Sequence, residues 1–335
     1  MKLLIVTQVV DKQHPVLGFF HRWIAEFAKH CDHLHVICLR QGDFDLPSNV
    51  TVHSLGKEDG KGRFTYVWRF YKYIWSLRHE YDRVFVHMNQ IYVILGASLW
   101  RILGKRIGFW YMHGSVPLSL RLAEKLADTI YSGSVESFRL ISDKLVVTGH
   151  GIDTNLFKPQ KIEKDTDLIT VGRITESKNL LVLVDVLNLV NKKTSASLAI
   201  VGLAVTESEK RYLERLKSCI AKKGLENKVH FLGKVDQNSL PAVLNRAKVF
   251  VTAAKNGSLD KAVLEAMACG LPVVSMAEGT NSLQLGAAQV VNKKDFSNEI
   301  IKFLDERNSI EEKKIGFVNE FHSLEKLIPK ILIEV

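Results

Sequence analysis

The chain has 335 residues, of which 46% are hydrophobic and 24% are charged, and it carries a net charge of +10 with four cysteines. This composition excludes a disordered chain and a disulfide-built scaffold, and the length favours two domains. The excess of basic residues favours anionic partners, namely nucleotide phosphates, an anionic membrane surface or nucleic acid, and does not choose among them.

Short β-rich runs alternate with helical stretches in the first half of the chain. Strands are predicted at residues 3–7, 35–39, 51–55, 83–87, 106–111, 129–131 and 145–147. Helices are predicted at residues 20–30, 63–79, 92–103 and 118–125. Such alternation indicates βαβ units around a parallel sheet.

The second half repeats this pattern after a polar segment at residues 155–165 that reads as a linker. Strands are predicted at residues 168–171, 198–201, 229–232, 249–252 and 272–275, and helices at residues 178–191, 207–223, 239–246 and 261–268. The fold class is therefore predicted as α/β, with two Rossmann-like doubly wound domains facing across a cleft. We place the domains at residues 1–157 and 158–320, with a C-terminal helix at 321–335 that packs back toward the first domain.

The first candidate site motif is the segment VGRITESKN at residues 171–179. A strand ends there, Gly172 allows a tight turn, and a helix is predicted to begin near Ser177. Free N–H groups at a helix N-terminus suit a phosphate, and Arg173 and Lys178 add two cations. These residues could neutralise a diphosphate, although they could also be two solvated cations at a strand–helix turn.

The second candidate motif is GSLDKAVLEAMACGLPVV at residues 257–274. A glycine-bearing loop leads into a helix that ends at Gly270, which is a favoured residue at a helix C-terminus. Glu265 lies among apolar residues on this helix and could accept hydrogen bonds from ribose hydroxyls, as acidic residues do in other nucleotide sites. An exposed helix charge is the simpler alternative for Glu265.

The two motifs resemble the donor site of the retaining GT-B glycosyltransferases of the GT4 family, also called group 1. The resemblance implies that Gly172, Arg173 and Lys178 bind the donor diphosphate and that Glu265 binds the ribose. GHGIDTNLFKP at residues 149–159, VHFLGKV at 229–235 and DTIYSGS at 128–134 resemble further motifs of that family in the same order. The donor-binding set implied by the resemblance also includes Gly18, Lys234, Val235, Leu259, Asp260 and Lys261.

One position departs from the family pattern. The first Glu of the E-x7-E motif should lie eight residues before Glu265, where this chain has Gly257. In the family that Glu faces the transferred sugar, so the role is missing here or is supplied by Asp260 or another group. For this reason the sequence does not identify the donor sugar.

The first domain is expected to bind the acceptor. His113 follows a predicted strand and resembles the family's strand-end histidine, which implies a catalytic role together with Arg173 and Lys178. Gly18 resembles the family's glycine loop near the donor phosphate. Packing roles remain the alternative for His113 and for His87, which also ends a predicted strand.

Residues 63–78 interleave aromatic and basic side chains. They predict either a core helix with a cationic outer stripe or a helix that lies on an anionic membrane. No signal peptide or membrane-spanning run is recognised, so the predicted location is cytoplasmic, with peripheral contact to the inner face of the membrane left open. No nucleic-acid recognition motif is present.

Together these features predict a hexosyltransferase of class EC 2.4 that uses a nucleotide-sugar donor and a glycan or lipid-linked acceptor in polysaccharide or glycoconjugate synthesis. By the resemblance, the reaction retains anomeric configuration. No cofactor and no metal are expected, because the Arg and Lys charges can replace a cation at the diphosphate. The alternatives are a non-catalytic nucleotide-sugar or glycan-binding protein and a related enzyme such as a sugar-nucleotide epimerase.

Overall fold

The computed structural model describes residues 1–14, 16–255, 257–305 and 311–334. Two compact units are present. The first contains Met1–Asp153 and Phe321–Val335, and the second contains Thr154–Glu320. Among the described residues, no helix combines the length and hydropathy required to cross a bilayer.

The strands of the described residues are numbered β1 to β12 in chain order. They are β1 Lys2–Val10, β2 His33–Gln41, β3 Val50–Ser54, β4 Arg83–His87, β5 Arg106–Trp110, β6 Thr129–Ser132, β7 Leu145–Val147, β8 Thr166–Val171, β9 Leu198–Val201, β10 Val229–Gly233, β11 Ala247–Thr252 and β12 Val273–Ser275.

The helices are numbered α1 to α11 in the same way. They are α1 Phe20–Ala28, α2 Arg63–Ser76, α3 Gln90–Ile102, α4 Leu118–Leu126, α5 Leu180–Val190, α6 Glu207–Lys222, α7 Leu240–Asn245, α8 Lys261–Ala268, α9 Lys293–Asp305, α10 Glu312–Phe321 and α11 Leu324–Glu334.

The described strands form one parallel sheet in each unit. The order in the first is β3-β2-β1-β4-β5-β6-β7, and the order in the second is β10-β9-β8-β11-β12. A helix lies between most successive parallel strands, as crossover connections usually require, whereas β2–β3 and β6–β7 are joined by segments without a helix. Each predicted strand is present, and the prediction of two Rossmann-like doubly wound α/β units is confirmed.

The first sheet is buried on both faces. Alternate side chains of a strand point to opposite faces, so Leu4 and Val6 of β1 join a core with α2, α3 and α4, whereas Leu3 and Ile5 join a core with α1 and α11. Burial on both faces explains why β1 reads as a continuous apolar run rather than an alternating one.

The segment after residue 320 belongs to the first unit. The Ile152 backbone donates to the His322 carbonyl at 2.7 Å, and the Leu324 backbone donates to the Ile152 carbonyl at 2.8 Å. The structural division after Asp153 falls four residues before the boundary expected after residue 157. Phe157 accounts for this difference, because it is buried in the second unit beside Lys261.

The expected helix at residues 178–191 begins later than predicted. A short 3-10 helix spans Glu176–Lys178, Asn179 then adopts the left-handed conformation with φ of 53°, and α5 begins at Leu180. The segment predicted to face a phosphate is therefore a 3-10 turn and a left-handed residue, and not the first turn of a long helix. Helices α9 and α10 were not predicted.

Candidate functional site

The carboxyl ends of β8 and β11 lie side by side in the centre of the second sheet. The chain continues from β8 to β9 and β10 on one side and from β11 to β12 on the other, so the strand order reverses between β8 and β11. Ligands of open α/β sheets bind in the crevice at such a reversal. The two predicted motifs follow these two strands, and the Lys255 N–H joins their loops by donating to the Ser177 carbonyl at 2.8 Å.

Lys178 crosses the end of β8 directly over Gly172. The φ of Gly172 is +146°, and a Cβ built there would lie 2.4 Å from Lys178 Cε and 2.6 Å from Lys178 Nζ. Any larger residue would therefore be strained in its backbone and would displace the lysine. The glycine of the first motif leaves the space that the cation occupies.

Lys178 also connects the two motifs. Its Nζ forms an ion pair with Asp260 Oδ2, and both side chains are mostly buried. Asp260 is the N-cap of α8, because its Oδ1 accepts a hydrogen bond from the Ala262 N–H at 3.3 Å. The structure thus brings the lysine of the first motif to the N-terminus of the helix in the second.

Glu265 is buried on α8, with an exposed fraction of 3%. Its Oε1 pairs with Lys261 Nζ and accepts a hydrogen bond from Gln237 Nε2 at 2.7 Å. Lys261 Nζ also lies 5.8 Å from the ring centroid of Phe157. The acid is held in one orientation by two donors, which excludes the alternative of an exposed helix charge.

Arg173 is held by a different carboxylate from Lys178. Its Nη1 donates to Glu209 Oε1 at 3.1 Å, and its side chain is largely exposed. Glu209 Oε2 accepts from the backbone N–H groups of Thr206 and Val205 at 3.0 and 2.8 Å. These hydrogen bonds, led by that of Thr206, lower the pKa of Glu209, so the carboxylate that faces Arg173 stays ionised.

The loop before α8 is shaped by two glycines. Gly257 has a φ of +64°, which lies in the left-handed region. A Cβ on Gly279 would lie 2.1 Å from the Ser258 carbonyl oxygen. The loop before α8 therefore packs directly against the backbone of Gly279. The Leu259 side chain is buried, and its donor role stays a prediction.

Lys234 and Val235 follow β10 at the edge of the second sheet, two strands away from β8. Lys234 is exposed, and its Nζ lies 3.9 Å from Asp236 Oδ1. The segment after this turn contacts α8, because Gln237 Nε2 donates to Glu265 Oε1.

In the first unit, His113 lies just after β5 and is exposed. The Ser115 N–H donates to its Nδ1 at 3.0 Å, and Ser115 Oγ lies 2.8 Å from the same atom. A backbone N–H can only donate, so Nδ1 is an acceptor and the neutral ring carries its proton on Nε2. That N–H is oriented by its neighbours and can donate to a ligand oxygen.

Gly18 and His87 are explained by packing within the first unit. A Cβ on Gly18 would lie 2.7 Å from the His14 carbonyl oxygen and 2.9 Å from that of Lys12. His87 is buried and stacks on Phe20 with ring centroids 3.8 Å apart. A ligand role for Gly18 therefore stays a prediction, with local packing as a sufficient reason for the glycine.

Three residues of the site were missed by the sequence reasoning. Glu209 belongs to a visible capping-box pattern with Thr206, but its partner Arg173 lies 36 residues away. Gln237 lies in no sequence motif that indicates a binding role. Gly202 follows β9, where a Cβ would lie 1.9 Å from the Gly172 carbonyl oxygen. Within the described residues, no group of three or more metal-ligating side chains converges.

The sequence of the second unit matches a known family. Residues 151–316 match the profile described as Glycosyl transferases group 1.

Curated relatives include glycosyltransferases of polysaccharide synthesis. The putative colanic acid biosynthesis glycosyltransferase WcaL of Escherichia coli is 27% identical over 156 residues, which is 44% of this chain and 37% of that protein. The mannosylfructose-phosphate synthase of Agrobacterium fabrum is 30% identical over 115 residues, which is 33% of this chain and 25% of that protein. The chain thus spans well under half the length of these relatives.

Solved structures match over nearly the whole chain. HepE of Anabaena, crystallised with UDP, has a TM-score of 0.78 at 18% identity, with 99% of each chain covered. The sucrose-phosphate synthase of Thermosynechococcus elongatus has a TM-score of 0.80 at 15% identity, with 99% of this chain and 98% of that chain covered. These likenesses confirm the predicted GT-B fold. The family match and the named relatives support a group 1 glycosyltransferase.

Proposed function

We propose that this chain, whose second unit matches the group 1 glycosyltransferases, transfers a hexose from a nucleoside diphosphate sugar to a glycan or lipid-linked acceptor with retention of anomeric configuration. One observation carries the proposal. Lys178, the N-terminus of α8 and the buried Glu265 converge at the strand reversal of the second sheet. This is the place where an open α/β sheet binds a nucleotide.

The donor diphosphate is assigned to the region of Lys178, with Lys261 and Arg173 as further cations. Lys178 would exchange Asp260 for a phosphate oxygen, and the positive end of the α8 dipole would face the same charge. Glu265, oriented by Gln237 and Lys261, would accept hydrogen bonds from the ribose hydroxyls.

The transfer breaks the bond between the sugar C1 and the phosphate oxygen, and the electron pair leaves with the diphosphate. The acceptor hydroxyl oxygen forms the new bond to C1 on the same face, and its proton passes to the departing phosphate. Lys178 and Arg173 would stabilise the charge that develops on this leaving group. His113 is assigned to contact with the transferred sugar or the acceptor, through the proton on its Nε2.

Gly257 favours one alternative function. A side chain that replaces it would have to adopt the left-handed conformation, so this loop is not built to carry the sugar-facing Glu of the family. A non-catalytic nucleotide-sugar-binding protein would fit that change. In the proposed enzyme, Asp260 supplies the acid, because it is the nearest carboxylate along the chain to the missing one and already faces Lys178.

The proposed donor and acceptor classes rest on the relatives. HepE was crystallised with UDP and with UDP-glucose, which makes UDP-glucose the first donor to test. WcaL and the Erwinia amylovora glycosyltransferase AmsK are named for the synthesis of colanic acid and amylovoran. We propose a cell-surface polysaccharide or a glycoconjugate as the product.

The proposal is tested with a panel of nucleoside diphosphate sugars that begins with UDP-glucose. Binding is measured by calorimetry, and slow hydrolysis is measured as release of the nucleoside diphosphate. We expect Lys178→Ala and Arg173→Ala to weaken donor binding by about 10- to 100-fold, because each removes a charged hydrogen bond. Lys192→Ala, an exposed lysine beyond the end of α5, is the matched control and should bind normally.

Unchanged donor binding in Lys178→Ala would disprove the site assignment. Donor binding without hydrolysis or transfer to any acceptor would favour the non-catalytic alternative. We expect a chelator to leave turnover unchanged, because lysine and arginine charges neutralise the diphosphate. Loss of turnover in the presence of the chelator would contradict the proposal that the reaction needs no metal.

A further inference from the structure

Helix α2 carries two apolar faces, of which only one is packed. The inner face contains Phe70 and Ile74, which are buried in the core between α2 and the first sheet. The outer face carries Phe64, Trp68 and Tyr71, followed by Trp75, with spacings of four, three and four residues. These spacings place all four rings in one stripe along the helix.

The outer stripe is exposed to an unusual degree for aromatic side chains. The exposed fractions are 96% for Phe64, 62% for Trp68 and 53% for Trp75. Indole and phenol rings combine an apolar body with a polar edge, so they are favoured where an apolar phase meets water. A helix that only covered the sheet would need the inner face alone.

Cations flank this stripe and acidic residues are absent from it. Lys72 Nζ lies 5.2 Å from the ring centroid of Trp68, and Arg78 Cζ lies 4.7 Å from that of Trp75. Residues 60–79 contain no aspartate or glutamate. Residues 60–127 contain eleven lysines and arginines against three acidic residues, so most of the net charge of the chain lies in this segment.

Helices α3 and α4 extend the same surface. Tyr71 of the outer stripe donates its hydroxyl proton to the Leu95 carbonyl in the middle of α3 at 2.8 Å. Ile91 and Ile102 lie on the same face of α3, eleven residues apart, and both are exposed. On α4, Leu118 and Leu122 are exposed. All three helices pack on one face of the first sheet.

We propose that this α2–α4 face docks on the surface of an anionic lipid bilayer. The outer rings would enter the region between head groups and acyl chains, and Lys72 and Arg78 would contact the lipid phosphates. The absence of acidic residues from residues 60–79 favours an anionic surface over a neutral one. The proposal is independent of the transfer reaction, since it needs neither the donor site nor an acceptor.

The test is co-sedimentation of the full chain with vesicles of phosphatidylcholine alone or mixed with phosphatidylglycerol. We expect binding to the anionic vesicles, a blue shift of tryptophan emission and release at high salt. Lys72→Glu should weaken the partition by at least about fivefold, the effect of one cation near an anionic surface. The double variant Trp68→Ser/Trp75→Ser should abolish the blue shift and most of the binding.

Matched controls separate this face from a general effect of charge or hydrophobicity. Lys192→Glu and Ile141→Ser change an exposed lysine and an exposed isoleucine outside the face, and both should bind like the native chain. Thermal unfolding establishes that each variant is folded, which is expected because the replaced side chains are exposed.

Equal binding of the native chain and both face variants, or no binding to anionic vesicles, would overturn the proposal. A concentration-dependent dimer that the same variants abolish, without vesicle binding, would assign the face to a second copy of the chain instead. Binding to neutral and anionic vesicles alike would contradict the role given to the cations.

Discussion

At the scale of single residues, each cation of the candidate donor site is paired with a carboxylate. Lys178 pairs with Asp260, Lys261 with Glu265, and Arg173 with Glu209. Phosphate binding at Lys178 must therefore compete with Asp260, which keeps the lysine oriented and costs affinity. A phosphate group would displace Asp260 from Lys178 where it accepts more hydrogen bonds at the site than the Asp260 carboxylate does.

Replacement of Asp260 by asparagine is predicted to tighten the binding of UDP. Asn remains a good N-cap for α8 but removes the negative charge that would face the diphosphate in the proposed donor site. One charge at contact distance contributes about 1 kcal/mol in water, which corresponds to about fivefold tighter binding. Calorimetry measures the effect, and Glu214→Gln, an exposed acid of α6 paired with Lys217, serves as the control.

The opposite result, weaker UDP binding in Asp260→Asn, would mean that Asp260 assists the donor instead of competing with it. Turnover adds a second readout. If Asp260 also supplies the acid that Gly257 lacks, Asp260→Asn will bind UDP more tightly and transfer the sugar more slowly.

At the scale of elements, the start of α5 decides where Lys178 points. The 3-10 helix ends at Lys178, and the left-handed Asn179 separates it from α5. A continuous α-helix through these residues would carry Lys178 in a different direction, away from the ion pair with Asp260. Asparagine tolerates this conformation because its short polar side chain bonds locally.

Asn179→Ala is predicted to lower the free energy of unfolding by roughly 1 kcal/mol, and Asn179→Gly to leave it nearly unchanged. The reason is that alanine resists the left-handed conformation whereas glycine adopts it freely. Denaturant unfolding measures the difference between the two variants. Equal stability of the alanine and glycine variants would show that the backbone at this position is not under the constraint described.

At the scale of the whole molecule, three buried or partly buried histidines with lowered pKa values lie in the first unit. Burial lowers the pKa of His87 to about 3, with a further effect of His150, and burial lowers the pKa of His322 to about 3, with further effects of His150 and Lys330. Burial lowers the pKa of His53 to about 4. All three histidines belong to the first unit, as do all five tryptophans: Trp23, Trp68, Trp75, Trp100 and Trp110.

Acid is therefore predicted to destabilise the first unit. The ordinary pKa of histidine is 6.5, so as the pH falls the unfolded state takes up protons before the folded state does. This contribution to stability is fully present above about pH 6.5 and is lost progressively toward pH 4 and below. Thermal unfolding followed by tryptophan fluorescence should show a lower midpoint at about pH 5 than at about pH 7.5.

His53→Gln should reduce this pH dependence, whereas His79→Gln, which replaces an exposed histidine, should leave it as in the native chain. A tryptophan-monitored midpoint that is the same at both pH values would contradict the prediction.

The sequence by itself determined the two doubly wound units and the two motifs at the strand ends. These features depend on local signals: buried strands read as apolar runs, Gly172 and Gly270 mark turns, and the helices alternate with the strands. Only the tertiary structure decided which carboxylate holds which cation. Arg173 meets Glu209, and Gln237 meets Glu265, because strand order brings together loops that lie 28 to 36 residues apart. The outer face of α2 was visible in the sequence as interleaved rings and cations, but its exposure depended on which side of the helix the first sheet buried.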